Sequence, residues 1–193
     1  MNTTGAVTAK RKTITSITLA ALFAALTAAG TFIAIPLPFS PVPVVLQNFF
    51  ALLSGLILGP ALGSAAAGLY LLAGAAGAPV FAGASGGFVR FLGPTGGFLL
   101  GYPLAALTAG LVAGRPRPEI KTPQWRIILA VLAGFLVIYI PGVIRLKFAI
   151  DKPWAAALAA GFIPFIAGDL LKGIAAVIIA PRLRRTAAEH LAR

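Results

Sequence analysis

The chain contains no cysteine, a single histidine and only four acidic residues among its 193. Without cysteine there is no disulfide framework and no thiolate metal site. The lone His190 sits among charged residues near the C-terminus, and no His-Glu-x-x-His pattern occurs, which speaks against an intramembrane enzyme. There is no close pair of carboxylates for acid–base work, so the sequence does not read as an enzyme. Phosphate-binding signatures are missing as well. The glycine-rich Gly83-Ala-Ser-Gly-Gly87 is not followed by Gly-Lys-Ser/Thr, and the chain cannot be its own ATP-driven motor. Charged residues make up 10% of the composition against 59% hydrophobic, with a mean hydropathy of +0.97. That is too little polar surface to cover a soluble globule, so the chain must dissolve in lipid.

What is present is long apolar segments bounded by charges, glycine or proline. Stretches near 14–35, 43–59, 61–76, 96–114, 127–148 and 162–181 approach the length needed to cross a hydrocarbon core of about 30 Å. The second and third join at Leu58-Gly59-Pro60-Ala61 and predict a tight helical hairpin. The reading is an all-α membrane protein, one integral domain over 1–193, with six transmembrane helices and a Gly/Pro-rich outer lid between helices 3 and 4. A first transmembrane helix fits the opening segment better than a signal peptide, because it is long and runs into Pro36-Leu-Pro with no cleavage site.

The net charge of +12 would suit a nucleic-acid binder, but its distribution does not. Eleven of the 16 basic residues, at 10–12, 115–126 and 182–193, fall on one side of a six-crossing topology. The positive-inside rule then puts both termini in the cytoplasm, with 1–13 and 182–193 as cytoplasmic segments. Arg145 and Lys147 mark the outer end of the fifth helix, and Asp151 and Lys152 an outer loop.

With Glu119 and Glu189 belonging to the basic cytoplasmic segments, three charges remain, Arg90, Asp169 and Lys172. Asp169 and Lys172 are three apart in an apolar helix, so they share a face one to two turns below the outer surface. Ionisable groups at that depth are expensive and mark a function, although an ion pair satisfying itself is the alternative. With Arg90 the local sum is one negative and two positive charges, which a monoanionic ligand neutralises. Arg90 belongs to an apolar stretch, 74–101, that glycine and proline interrupt repeatedly. Irregular backbone at membrane depth is tolerated when it is buried in protein or lines a cavity, which suits a lid; a flexible connection is the other reading. The proline-rich 36–43 cannot continue a helix and is expected to be extended. Gln47 and Asn48 follow it as the other polar groups near the outer mouth. In the first helix Ala20, Ala24 and Ala28 form a small-residue stripe with Ala21, Ala25 and Ala29 beside it, a face for close packing within the fold or against another protein. By spacing alone, packing within the fold is favoured.

These residues resemble the BioY family, the biotin-binding substrate-specific (S) components of energy-coupling factor (ECF) transporters. The motifs are Pro41-Val-Pro-Val-Val-Leu-Gln47, Leu53-Ser-Gly-Leu-Ile-Leu-Gly-Pro60, Gly77-Ala-Pro-Val-Phe-Ala-Gly83, Gly93-Pro-Thr-Gly-Gly97 and Pro164-Phe-Ile-Ala-Gly-Asp-Leu-Leu-Lys172, in order, and the resemblance runs from Ile14 to Pro181. Ala78 and Phe98 stand where leucine and tyrosine are more usual. The resemblance implies a six-helix fold in a bacterial inner membrane that captures one biotin near the outer face. It implies work with a transmembrane scaffold subunit and two ATP-binding cassette ATPases, which use the ATP, and needs no cofactor of the chain's own. It turns Ala20, Ala24 and Ala28 into the scaffold contact. For the ligand it implies Asp169 at the ureido group, Arg90 and Lys172 at the carboxylate, and Phe81, Tyr70 and the backbone at Gly83 around the apolar middle. An S component for another vitamin, or an ion-coupled secondary transporter using Asp169, are the competing expectations.

Overall fold

The computed structural model describes residues 3–192; Arg193, counted above among the inner-side cations, and residues 1–2 of the N-terminal segment lie outside the described residues. Seven α-helices and one β-hairpin are found there. They are α1 (Thr3–Ala29), β1 (Ala34–Leu37), β2 (Ser40–Val45), α2 (Gln47–Leu58), α3 (Pro60–Ala75), α4 (Gly96–Ala113), α5 (Gln124–Ile150), α6 (Trp154–Gly161) and α7 (Ile166–Ala192). Short 3-10 turns follow α1 and precede α4 and α7.

The packing is that of a protein in lipid. Leu132, Leu136, Ile140 and Ile144 of α5 and Leu170, Leu171, Ile174 and Ile178 of α7 face outward, while Ala105, Ala106, Ala109, Ala130, Ala176 and Ala180 are fully buried. Large side chains gain nothing from leaving hydrocarbon for protein, so small ones take the helix contacts and let backbones approach. Gly55 shows how closely: a Cβ there would overlap the Ala106 carbonyl of α4, and one at Gly63 would overlap Gly55 itself.

Four helical stretches are long and apolar enough to cross a membrane: Ala9–Phe32, Gly96–Ala113, Gln124–Ile150 and Trp154–Ala192. The segments expected at 43–59 and 61–76 form shorter helices of 12 and 16 residues. At about 1.5 Å per residue, α2 is only about 18 Å long. It never meets the lipid alone, because 11 of its residues are buried between α1, α3, α4 and α7. Residues 43–45, placed in the second segment by hydropathy, belong to strand β2. Proline at 36, 38, 41 and 43 removes the N–H groups a helix needs, and the chain folds into an antiparallel hairpin pairing Ala34 with Val45 and Leu37 with Ser40. The extended reading of 36–43 therefore holds, and the all-α description is corrected by this hairpin.

Two further boundaries differ from the hydropathy reading. Helix α6 lies within what was expected to be an outer loop. Asp151 in the left-handed region ends α5, Pro153 precedes α6, and the Ser40 hydroxyl donates to Ala160 O at 2.7 Å, tying hairpin to helix. At the other end, α7 continues through Pro181 to Ala192. The side chain of Arg184 in that extension is buried and donates to Leu56 O in α2, to Ala113 O (3.2 Å) and Gly114 O (2.8 Å) at the end of α4, and to Thr122 Oγ1 (3.2 Å). The last carbonyls of a helix have no partner within it, so one guanidinium here caps two helices and fixes the following connection.

The small-residue stripe of α1 is also resolved. Ala20 and Ala24 are 9% and 8% exposed and pack inward, and Ala28 is half-buried. The 100° step between neighbouring helical residues turns Ala21, Ala25 and Ala29 outward instead. Packing within the fold, favoured by spacing alone, is what Ala20 and Ala24 do.

Candidate functional site

At the end of the bundle opposite Arg184, the start of α2 carries two consecutive amides that point into different surroundings. Successive helical residues diverge by about 100°, so Gln47 and Asn48 cannot face the same way. Each one anchors a separate polar cluster.

Gln47, 1% exposed, places its side-chain nitrogen 2.8 Å from Tyr70 Oη and 2.9 Å from Val80 O, with the Thr31 hydroxyl against it. Tyr70 packs edge-on against Phe81, ring centroids 5.6 Å apart, and Phe81 packs in the same way against Phe91. Gly74 is what permits this, since a Cβ there would overlap the Phe81 ring. The 74–95 connection is thus pinned over α3 rather than solvated. Its Phe81–Ser85 bridge and the bond from Gly87 N–H to Gly74 O, at 2.7 Å, hold its irregular backbone.

Between this connection and the β-hairpin lies a cavity of about 430 Å³. Its walls mix the apolar Pro36, Leu37, Val42 and Phe98 with Gln47, Tyr102 and Arg90. Phe81 and Gly83 also line it, and Tyr70 stands directly behind Phe81. The Arg90 side chain makes no hydrogen bond or ion pair among the described residues, although it lines the cavity. The volume and the few converging polar groups are those of a small-molecule site, for which about 300–1,000 Å³ is usual.

The second cluster is built on Asn48. Its Nδ2 donates to Asp169 Oδ1 at 2.9 Å, and Lys172 Nζ donates to Asn48 Oδ1 at 2.9 Å and to Asp169 Oδ1 at 2.8 Å. The Tyr139 hydroxyl donates to Asp169 Oδ2. Asp169 is 7% exposed and lies in the first turn of α7, where the helix dipole favours a negative charge. All three contacts to its carboxylate are donors, so the ion is buried with compensation, as its cost demands.

The three charges expected to share one site are therefore arranged in two parts. Arg90, Gly83 and Phe81 meet at the cavity, whereas Asp169 and Lys172 pair with Asn48 and Tyr139 beyond its wall. Phe98 stands between them: it lines the cavity and packs edge-on against Tyr139, centroids 6.3 Å apart. Sequence reasoning placed Asn48 near the mouth but missed Tyr139 and Tyr102, which are single tyrosines inside helices too apolar to suggest a polar role. Arg145, near the end of α5, donates to Leu92 O at the end of the 3-10 turn that precedes α4, with its Nε buried and unbonded.

A membrane-embedded helical bundle with a cavity between a β-hairpin and the 76–95 connection at one end, backed by a buried ion-pair network, describes a small-molecule binding component of a membrane. The comparisons with known proteins narrow this. The family model described as "BioY family" matches residues 2–189. A protein of Pyrococcus horikoshii named "Probable biotin transporter BioY" is 43% identical over 168 residues, covering 87% of this chain and 95% of its own. The "Biotin transporter BioY" of Thermotoga maritima is 41% identical, covering 89% and 96%. Among solved structures, the crystal structure of the S-component for biotin from an ECF-type ABC transporter superposes with a TM-score of 0.80 at 32% identity, covering 90% of this chain and 92% of that one. The chain belongs to the BioY family.

Proposed function

We propose that this protein binds biotin from the outer face of a cell membrane and serves biotin uptake as the S component of an ECF-type ABC transporter. The observation that carries the reading is the pairing of an open cavity lined by an arginine with an unbonded side chain and a buried Asn48–Asp169–Lys172–Tyr139 network, in a chain of this family. Biotin has the matching parts: a ureido group with two N–H donors, an apolar bicycle and chain, and a carboxylate. Asp169 accepts from the ureido group with Lys172 beside it at 2.8 Å, and Arg90 on the cavity side holds the carboxylate, with Phe81, Tyr70 and Gly83 around the apolar middle. In the resting arrangement Asp169 is satisfied by Asn48, Tyr139 and Lys172, and Phe98 closes it off from the cavity. Binding then requires Phe98 to swing aside and the ureido group to replace one of the internal donors, an exchange of one hydrogen bond for another that costs little net energy. Arg90 on the lid engages last.

In this reading α2 and α3 count as the second and third of six crossings, with the β-hairpin filling the outer part that α2 is too short to reach. Both termini lie on the inner, basic side of a bacterial inner membrane, and 1–193 forms one domain. The partners are a transmembrane scaffold and two ATP-binding cassette ATPases, which supply the energy; this chain contributes no cofactor and no enzymatic step. The outward stripe Ala21, Ala25 and Ala29 is the surface of α1 open to the scaffold. An ion-coupled mechanism has little to use here, since Asp169 is already held by a lysine and two neutral donors.

Equilibrium binding of labelled biotin to the purified protein, with thiamin and riboflavin as controls, tests the proposal. One-to-one biotin binding that is weakened by Lys172→Ala is expected. Folded protein that ignores biotin but takes up thiamin or riboflavin would replace the substrate.

A further inference from the structure

The basic end of the bundle carries a second cavity, of about 700 Å³, enclosed by the 116–124 connection and by residues 181–189 of α7. Arg117, Lys121, Arg182 and Arg185 stand around it, against Glu119 and Glu189. Only one ion pair is made there among the described residues, Arg185 Nε to Glu189 Oε1 at 3.2 Å. The cavity therefore holds an excess of positive charge that the protein does not neutralise itself.

Charge on this side of a membrane protein is expected from topology alone, but topology needs no cavity. Lys10, Arg11 and Lys12 satisfy the same rule from a single helix. Here two segments far apart in sequence are held together by a buried device. Arg184, 3% exposed, lines the cavity floor and ties Thr122 to α7 by its Nε while gripping the ends of α2 and α4. The cations around the rim are thereby given fixed spacing. Ile120, Trp125 and Leu183 nearby are exposed apolar residues, and an exposed tryptophan at a helix start belongs to the level where hydrocarbon meets headgroup.

From this placement we infer that the cavity is a binding site for the phosphate of an anionic phospholipid headgroup. Basic pockets between helix ends on the inner side of a membrane recognise such groups. Arginine offers paired N–H donors that match two phosphate oxygens, and Lys121 adds a point charge. The acyl chains run from the cavity along the apolar surfaces of Trp125 and Leu183. A soluble phosphate would meet the same cations, but it would leave those apolar neighbours uncovered.

The test uses the full chain released from mixed micelles and examined by native mass spectrometry, with phosphatidylglycerol and phosphatidylcholine in equal amounts. Wild type is expected to retain one phosphatidylglycerol in preference to phosphatidylcholine, and millimolar inorganic phosphate should not displace it. The triple variant Arg117→Ala/Lys121→Ala/Arg182→Ala removes three exposed side chains and should weaken that retention by on the order of tenfold or more, at about 1 kcal/mol per basic residue. The control Lys10→Ala/Arg11→Ala/Lys12→Ala loses the same charge outside the cavity and should retain the lipid. Equal losses in both variants would reduce the effect to net charge and overturn the site. Displacement by inorganic phosphate would assign the cavity to a soluble anion, and no preference in wild type would refute it outright. Biotin binding by each variant serves as the folding check, so a failure here is separable from a failure of the proposed substrate.

Discussion

Removing Lys172 should damage the protein in two ways that can be separated. Lys172→Ala leaves the Asp169 carboxylate at 7% exposure with two neutral donors, Asn48 at 2.9 Å and Tyr139, and no counter-charge. Breaking a buried pair from one side costs about 3–5 kcal/mol, which for a chain of this size is on the order of 10 °C in Tm. Replacing both partners removes the orphaned charge, so Asp169→Leu/Lys172→Met should recover most of that loss. Biotin affinity should follow a different pattern. A hydrogen bond to a charged group contributes about 1.5–3 kcal/mol, so either single variant should bind more weakly by about 10- to 150-fold, and the double variant should be worse than either. Thermal unfolding in detergent, followed by intrinsic fluorescence with and without biotin, reads both quantities. If the double variant bound biotin as wild type does, Asp169 and Lys172 would be structural only. If Lys172→Ala left Tm unchanged, the network would not be the compensated buried pair described.

Three further outcomes follow from other contacts. Arg184→Ala should lower Tm by at least as much as Lys172→Ala, because it uncaps α2 and α4 together, and Arg184→Lys should restore little, since an ammonium cannot span Leu56, Gly114 and Thr122 at once; circular dichroism melts check both. Phe98→Ala opens the wall between cavity and network, so stopped-flow biotin association should quicken several-fold while Tm falls by about 3 kcal/mol equivalent for the lost ring. Ala25→Leu should fold normally and impair co-purification with a scaffold subunit, whereas Ala24→Leu should destabilise the isolated chain by about 1–3 kcal/mol through overpacking.

Much of this architecture was legible because lipid permits so few solutions. The apolar runs marked α1, α4, α5 and α7. The isolated Asp169 and Lys172 stood out because charge is rare in such segments. What hydropathy could not show was where an apolar run stops being helix. Residues 43–45 are as apolar as those that follow, and only pairing with 34–37 makes them a strand. Helix α7 passes Pro181 because Arg184 and the buried Ala187 and Ala188 hold its extension, a tertiary cause with no local signature. Rotation was the other blind spot. A stripe of alanines at four-residue spacing is symmetrical with its neighbour until the partner helices are known; here Ala20 and Ala24 face inward and Ala21, Ala25 and Ala29 outward. The same holds at the site, where Phe98 lies between groups that composition alone would have pooled.

Helix α2 joins the two ends of the molecule. Its first turn supplies Gln47 to the cavity and Asn48 to the ion pair, and its last turn presents Leu56 O to Arg184, all within one buried rod of 12 residues. A packed helix moves as a unit, so whatever displaces its first turn displaces its last. The ligand side and the basic side are thus two ends of one lever, and neither can be repacked without news of it arriving at the other.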